Sequence, residues 1–427
     1  MTVLARQASP LRGTPLGDEA AGLDLCVHCG FCMQACPTYL VLEDENDSPR
    51  GRVMLMKGAV EGDLAIDDPA LSTHLDRCLG CRACETACPS GVPYGQLLEA
   101  ARATTARAGA GHRSLVASAL LLTMRSPFLR RIAFRLALIL RATRLTRALA
   151  RLPGRAGFAF AMVESTRPVF ASDGTARQAS AGGRDTVATL RGCVMEGLFA
   201  HTNRATERVL SRSGYRLVPA PGQDCCGALH AHGGDLVAAR SLAMRNIAAF
   251  EASGATWVAV NAAGCGAMMK EYGHLLRDDA DWAGRAQRFS ACVRDVTELV
   301  AASGAVPPGR LDVRVAYDAP CHLHHAQRVV DAPLAVMLRV DGLDLVPLPD
   351  ADRCCGGAGI YNLSQPEISQ AVLHPKLEHV RDAGIALVAT GNPGCHMQVG
   401  AGLLVRGMTA RCVHPADLLD RAWAGEA

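Results

Sequence analysis

Two runs of cysteine restrict this chain more than anything else in it. Cys26-Val-His-Cys29-Gly-Phe-Cys32-Met-Gln-Ala-Cys36-Pro37 has the spacing C-x2-C-x2-C-x3-C-P, and Cys78-Leu-Gly-Cys81-Arg-Ala-Cys84-Glu-Thr-Ala-Cys88-Pro89 repeats it. Two-residue spacers let one loop bring three thiolates to one face of a compact inorganic core. The fourth Cys starts the following helix, and its Pro directs the chain away. This is the spacing of [4Fe–4S] ligation. Zinc also takes C-x2-C, but a tandem four-cysteine run closed by Pro is far more specific than paired C-x2-C. Gly30 and Gly80 sit between ligands, where a close backbone approach predicts positive φ.

In two-cluster ferredoxins the fourth Cys of each run serves the other cluster. On that rule Cys26, Cys29, Cys32 and Cys88 form one set, and Cys36, Cys78, Cys81 and Cys84 the second. Residues 1–106 are therefore expected to form a helical, ferredoxin-like domain with two [4Fe–4S] clusters. Between the runs, Ser48-Pro49-Arg50-Gly51-Arg52 leads into an apolar helix-like stretch from Val53 to Val60. Arg50 and Arg52 read as solvated charge at a helix start; contact with a partner or with cluster charge is the alternative.

The remaining cysteines need a compartment. The chain has 427 residues and 18 Cys, and its first twenty residues contain no apolar run of a signal peptide. The expectation is a cytoplasmic location, where thiols stay reduced and clustered Cys serve metals or redox chemistry. At 49% hydrophobic the chain can bury several cores. A net charge of +3 and 4% aromatics give no reason to expect nucleic acid as partner.

Residues 107–184 read as a basic helical segment and linker. From 113 to 151 there are nine Arg and no Asp or Glu. Apolar residues recur at three- and four-residue intervals (Leu115, Val116, Leu120 to Leu122, Ile132, Phe134, Leu136, Leu138 to Leu140). This predicts amphipathic helices broken near Ser126-Pro127. Such a segment packs on the chain's own domains, docks on an acidic partner, or lies peripherally on the inner face of the cell membrane. The stretch 171–184 is Gly-rich and polar, a linker.

The second half repeats itself at about 129 residues. Cys193, Cys225-Cys226-Gly227 and Cys265 return as Cys321, Cys354-Cys355-Gly356 and Cys395, at offsets of 128, 129, 129 and 130. Strand-like runs precede the first and last Cys of each copy: 186–190 and 256–260, then 313–317 and 385–389. Short apolar runs alternating with helical patterns predict two α/β repeats with parallel sheets, residues 185–304 and 305–427, related by a pseudo-twofold axis. Ligands of such sheets sit beyond the carboxyl ends of strands. Cys193, Cys225, Cys226 and Cys265, and likewise Cys321, Cys354, Cys355 and Cys395, are candidate ligands of additional clusters. Adjacent cysteines cannot simply cap one cubane face, so an unusual cluster, a vicinal redox pair and inert packing all stay open. Cys292 and Cys412 read as core residues. His230, His232, His322, His324, His325 and His396 lie close in sequence to the Cys sites; a local hydrogen bond is the ordinary reading, and orienting a thiolate or relaying a proton is the alternative. His414 before Pro415 reads as a helix start. No G-x-G-x-x-G or P-loop pattern occurs, so this chain is expected to bind no flavin or nicotinamide.

Together these phrases resemble one family. DLCVHCGFCMQACPTYLVL, DSPRGRVMLMK, CLGCRACETACPSGVPYGQLLE, CCGALHAHGGD, VNAAGCGAMMKEYG, PCHLHHAQRV, CCGGAGIYNLSQPE and TGNPGCHMQ are similar to the glycolate oxidase iron–sulfur subunits. These are related to subunits of heterodisulfide reductase, anaerobic glycerol-3-phosphate dehydrogenase and lactate-utilisation systems. The resemblance implies partners that carry flavin and oxidise glycolate, often also D-lactate, with electrons passed through this chain towards a quinone-linked acceptor. It implies no catalytic residue here: the cysteines are ligands. The alternatives are an electron-transfer or disulfide- or quinone-reducing subunit of one of the related complexes. One departure matters. Heterodisulfide reductase units close with C-x2-C, whereas Ala262 and Asn392 stand three before Cys265 and Cys395. A five-thiolate cluster is therefore not carried over, and four-thiolate or metal-free sites both stay open.

Overall fold

The computed structural model describes residues 9–109, 115–170 and 185–425; the linker expected at 171–184 lies outside them. The N-terminal part is helical. The short helices α1 (Phe31–Gln34) and α2 (Pro37–Leu42) follow the first cysteine run. Helix α3 (Pro49–Glu61) starts where Ser48 accepts from the Gly51 N–H and Pro49 takes the first position, and it stops at Gly62, φ 90°. It covers the expected apolar stretch. Helices α4 (Pro69–Asp76) and α5 (Ala83–Thr86) flank the second run, and α6 (Tyr94–Arg107) leaves it. Their shared core is Leu16, Leu23, Val53, Met56, Leu71, Leu75 and Leu97, with Cys78 and Cys84 on its edge.

The basic segment forms α7 (Leu115–Arg125) and α8 (Pro127–Ala142), broken at Ser126, whose hydroxyl caps α8 by accepting from the Leu129 N–H. Helix α9 (Gly154–Ser165) follows.

The first repeat has β1 (Thr186–Thr189), α10 (Cys193–Leu198), α11 (Ala200–Arg212), β2 (Arg216–Leu217), α12 (Leu236–Ser253), β3 (Trp257–Val260), α13 (Ala263–Lys270) and β4 (Val293–Asp295). The second has β5 (Arg310–Tyr317), β6 (Asp341–Val346), α14 (Pro366–Asp382), β7 (Leu387–Ala389), α15 (Pro393–Val405), β8 (Arg411–Val413) and α16 (Pro415–Ala424). All strand pairs are parallel, in the orders β2-β1-β3-β4 and β6-β5-β7-β8. The central strands are short and apolar because helices cover both sheet faces. The fold class is thus the one expected: a helical ferredoxin-like part, then two parallel α/β repeats. The repeats meet at their strand ends. The Ala263 N–H donates to Gly391 O (3.0 Å), Gly264 N–H to Asn392 Oδ1 (3.2 Å), and His414 Nε2–H to Asn261 O (2.8 Å).

Candidate metal centres

The eight N-terminal thiols fall into two groups of four, with the last Cys of each run crossing to the other group. Cys26, Cys29, Cys32 and Cys88 line one hollow; Cys36, Cys78, Cys81 and Cys84 line a second. Cys84 and Tyr94 border both, so the hollows are neighbours. Gly30 and Gly80 have φ of 85° and 62°, as their place between thiols requires.

The first hollow lies at the surface. Cys29 is exposed, and Leu25, Val27 and Phe31 beside it are exposed apolar residues. Burial pushes the Cys32 thiol up to about 11, with the charges of Cys26 and Cys88 adding to the effect. The second hollow is buried, as are all four of its thiols. Burial pushes the Cys81 and Cys84 thiols well up, and neighbouring thiolates push further. Thiolates in such numbers are sustained only with a cation among them.

Hydrogen bonds converge on this second group. Cys78 Sγ receives the Gly80 N–H (3.4 Å) and the Tyr94 hydroxyl (3.5 Å). Arg52 corrects the expectation of solvated charge: it is fully buried. Its guanidinium donates to Thr38 Oγ1 (3.1 Å), Asp47 Oδ1 (3.1 Å) and His74 O (2.7 Å), and lies 3.9 Å from Cys36 Sγ. The signal was in the spacing, since 52, 56 and 59 share the apolar face of α3. Arg50 does face water, bound to Glu45 and to His28 O.

In each repeat, four thiols meet beyond the strand ends, two from the Cys-Cys-Gly loop and two from the starts of helical segments. Cys193 Sγ is 3.6 Å from Cys225 Sγ, and Cys226 lies beside Cys265. In the second repeat Cys321 lies beside Cys354, and Cys355 beside Cys395. The glycine that follows each Cys-Cys pair is obligatory. Gly227 and Gly356 have φ of 87° and 80°, and a Cβ on Gly356 would stand 2.5 Å from Ser369 O of α14.

The two repeat sites differ. All four thiols of the second are buried, whereas Cys193 and Cys265 are partly exposed. Behind the second lies a buried Lys376–Asp318 pair; the matching strand-end residue of the first is Leu190. Burial pushes Asp318 up to about 6 despite Lys376. Asn392, at one missing-cysteine position, donates Nδ2–H to Cys395 Sγ (3.3 Å), while Ala262 offers nothing polar.

The second N-terminal hollow abuts the second repeat. Leu79, Cys81 and Ala83 share one buried cluster with Cys321, Cys354 and Tyr361. Thr86 Oγ1 and His325 Nδ1 are 3.0 Å apart, and Tyr361 donates to Arg77 O (2.7 Å). His322 Nδ1 lies 3.5 Å from Cys321 Sγ. The histidines thus separate. His396 bonds Ser165 O, and burial pushes it down to about 3; His232 pairs with Glu99. Cys412 is a core residue, but Cys292 is partly exposed at the last position of a helix, bonded to Arg288 O. None of the 18 cysteines forms a disulfide. Thiols grouped in fours, most of them buried, fit iron–sulfur clusters.

Comparison with known proteins agrees in class. A 4Fe-4S dicluster domain model matches residues 22–92, and a cysteine-rich domain model matches 187–270 and 315–400. The chain is an iron–sulfur protein with a ferredoxin-type domain and a duplicated cysteine-rich domain. It is 35% identical over 426 residues to the probable glycolate oxidase iron-sulfur subunit of Bacillus subtilis, covering 93% of both chains. It is 35% identical over 389 residues to the glycolate oxidase iron-sulfur subunit of Escherichia coli, covering 89% of this chain and 90% of that one. Lactate utilization protein A of Geobacillus kaustophilus matches at 29% over 53% of this chain and 95% of its own length. The chain belongs to the family of glycolate oxidase iron–sulfur subunits.

Proposed function

We propose that this chain is the electron-transfer subunit of a glycolate-oxidising complex. It takes electrons from a flavin-bearing partner that converts glycolate, and D-lactate where the partner accepts it, to the 2-oxo acid, and passes them towards a quinone-linked acceptor. Substrate chemistry belongs to the partner. The observation that carries this reading is the contiguity of the thiol sites, from exposed Cys29 through buried Cys81 to Cys321. Cys26, Cys29, Cys32 and Cys88 would hold one [4Fe–4S] cluster; Cys36, Cys78, Cys81 and Cys84 would hold the second. The sets Cys193, Cys225, Cys226, Cys265 and Cys321, Cys354, Cys355, Cys395 are the candidates for further clusters. Clusters, when bound, supply one-electron redox chemistry. The protein's own residues set the conditions. Leu25, Val27 and Phe31 make an apolar approach for the donor around Cys29. Arg52, Tyr94 and the Gly80 N–H place positive potential on the inner thiolates. The domain plan we infer is 1–106, 107–184, 185–304 and 305–427.

The test is iron and acid-labile sulfide per chain on protein purified without oxygen. About eight iron atoms mean that only the ferredoxin-type part is loaded, and about sixteen mean that each repeat holds a cluster. Cys29→Ser and Cys81→Ser are expected to stop transfer to the acceptor while glycolate still reduces the partner's flavin. A flavin that no longer accepts electrons from glycolate in these variants would contradict the relay.

A further inference from the structure

Helix α8 has two apolar faces, and the described residues cover only one. Inward, Phe134, Ala137 and Leu138 pack on the core of the first repeat. Arg130 pairs with Asp224, and Arg141 donates to Thr166 O and Leu198 O. At 100° per residue, the opposite face carries Phe128, Leu129, Ile132, Leu136 and Ile139. These stand in water: Phe128 is 69% exposed, Leu136 56% and Ile139 58%. Arg131 and Arg135 form the flank between the faces. With Arg125, Arg144, Arg147 and Arg151 they have no carboxylate partner among the described residues, and the stretch 113–151 contains no acidic residue.

We propose that α8 is an interfacial helix that seats this chain on an anionic phospholipid bilayer, its outer face sunk among the headgroups and its arginines on the phosphates. Charge complementarity selects this occupant. A segment with nine arginines and no acidic residue over 113–151 matches a continuous anionic surface, and five purely hydrocarbon side chains suit acyl chains. With 16 residues α8 lies in the plane of the surface; no helix among the described residues is long and apolar enough to cross a membrane. The seating has a consequence for the first repeat. A cavity of about 930 Å³ runs between α8 and the sheet, lined by Arg131, Phe134 and Arg135 on one side and by Arg191, Cys193 and Glu196 on the other. Docking by the outer face sets this cavity, with Cys193 on its wall, at the lipid boundary.

The experiment uses the full chain, with phosphatidylcholine vesicles made with and without phosphatidylglycerol. The chain is expected to sediment with the anionic vesicles only, and less as salt rises. Arg131→Ala and Arg135→Ala each weaken partitioning about fivefold. Ile132→Asp with Leu136→Asp abolishes it, while circular dichroism and iron content match the parent. A Leu136→Trp fluorophore is quenched by brominated lipid; a Val237→Trp fluorophore, on an exposed site of α12, is not. Three outcomes overturn the proposal: no sedimentation with anionic vesicles, equal sedimentation of the double Asp variant, or loss in that variant of capture by the flavin-bearing partner while vesicle binding is unchanged. Vesicle sedimentation and quenching by brominated lipid do not depend on electron transfer, so the electron-transfer proposal stands or falls separately.

Discussion

At the scale of single residues, the side chains nearest the thiols are those that burial makes costly elsewhere. Arg52 is a full cation in the core, kept there by Asp47, Thr38 and the inner thiols. Removing one member of a buried ion pair costs more than the pair itself contributes, because the other charge is stranded. Arg52→Met is therefore expected to lower stability by about 3 kcal/mol in urea unfolding, with Arg77 retaining part of Asp47's compensation. It should also shift the visible absorption and potential of the inner site, which a merely structural loss elsewhere in α3 would leave alone. The cysteines were legible from spacing because ligation is local. Arg52 was not, since a charged side chain at a helix start is ordinarily solvated, and only the packing of α3 against α4 turned it inward. Asn392 was legible only as a missing cysteine; it stands at the N-cap of α15, where it bonds Cys395 and accepts from Gly264 of the first repeat.

At the scale of elements, two contacts tie helices to the repeats. Phe134 of α8 lies on Gly197 of α10 so closely that a Cβ there would stand 2.3 Å from the ring. Gly197→Ala is expected to cost about 1–3 kcal/mol by overpacking and to speed proteolytic cleavage around α8. Phe134→Ala in the same chain should recover most of that loss, a coupling that a double-mutant cycle measures. His414 is the second contact. It begins α16 as expected, with Nδ1 accepting from the Ala416 N–H, and it joins the repeats through Asn261. Burial pushes it down to about 4, against about 6.5 in an unfolded chain. The unfolded state therefore binds the extra proton first, and stability falls as pH drops from about 6.5 to about 4. His414→Asn keeps a cap and a donor but cannot titrate. Over that window it should lose less stability than the parent, by up to about 3 kcal/mol in denaturation at each pH.

At the scale of the whole molecule, the ferredoxin-like part is joined to the repeats through partly desolvated polar contacts. Arg82 pairs at once with Glu85 and with Glu271 of the first repeat. Arg102 donates to His232 O (3.0 Å) and Glu19 pairs with Arg277. Burial pushes the Glu271 carboxyl up even with Arg82 beside it. Arg82→Ala leaves that carboxylate uncompensated and should cost about 3–5 kcal/mol at this joint. Scanning calorimetry is expected to show an earlier, separate transition for the ferredoxin-like part. What could be read along the chain was everything set by short range or by repetition. The two cysteine runs, the alternation of apolar strands and helices, the duplicated Cys-Cys-Gly loops and the break at Ser126 all follow from neighbours a few residues apart. The pairing of thiols across loops, the burial of Arg52, the inequality of the two repeat sites and the uncovered face of α8 were decided by tertiary structure. Each depends on which surfaces from distant parts of the chain exclude water together, and desolvation is a property of the assembled fold rather than of any segment.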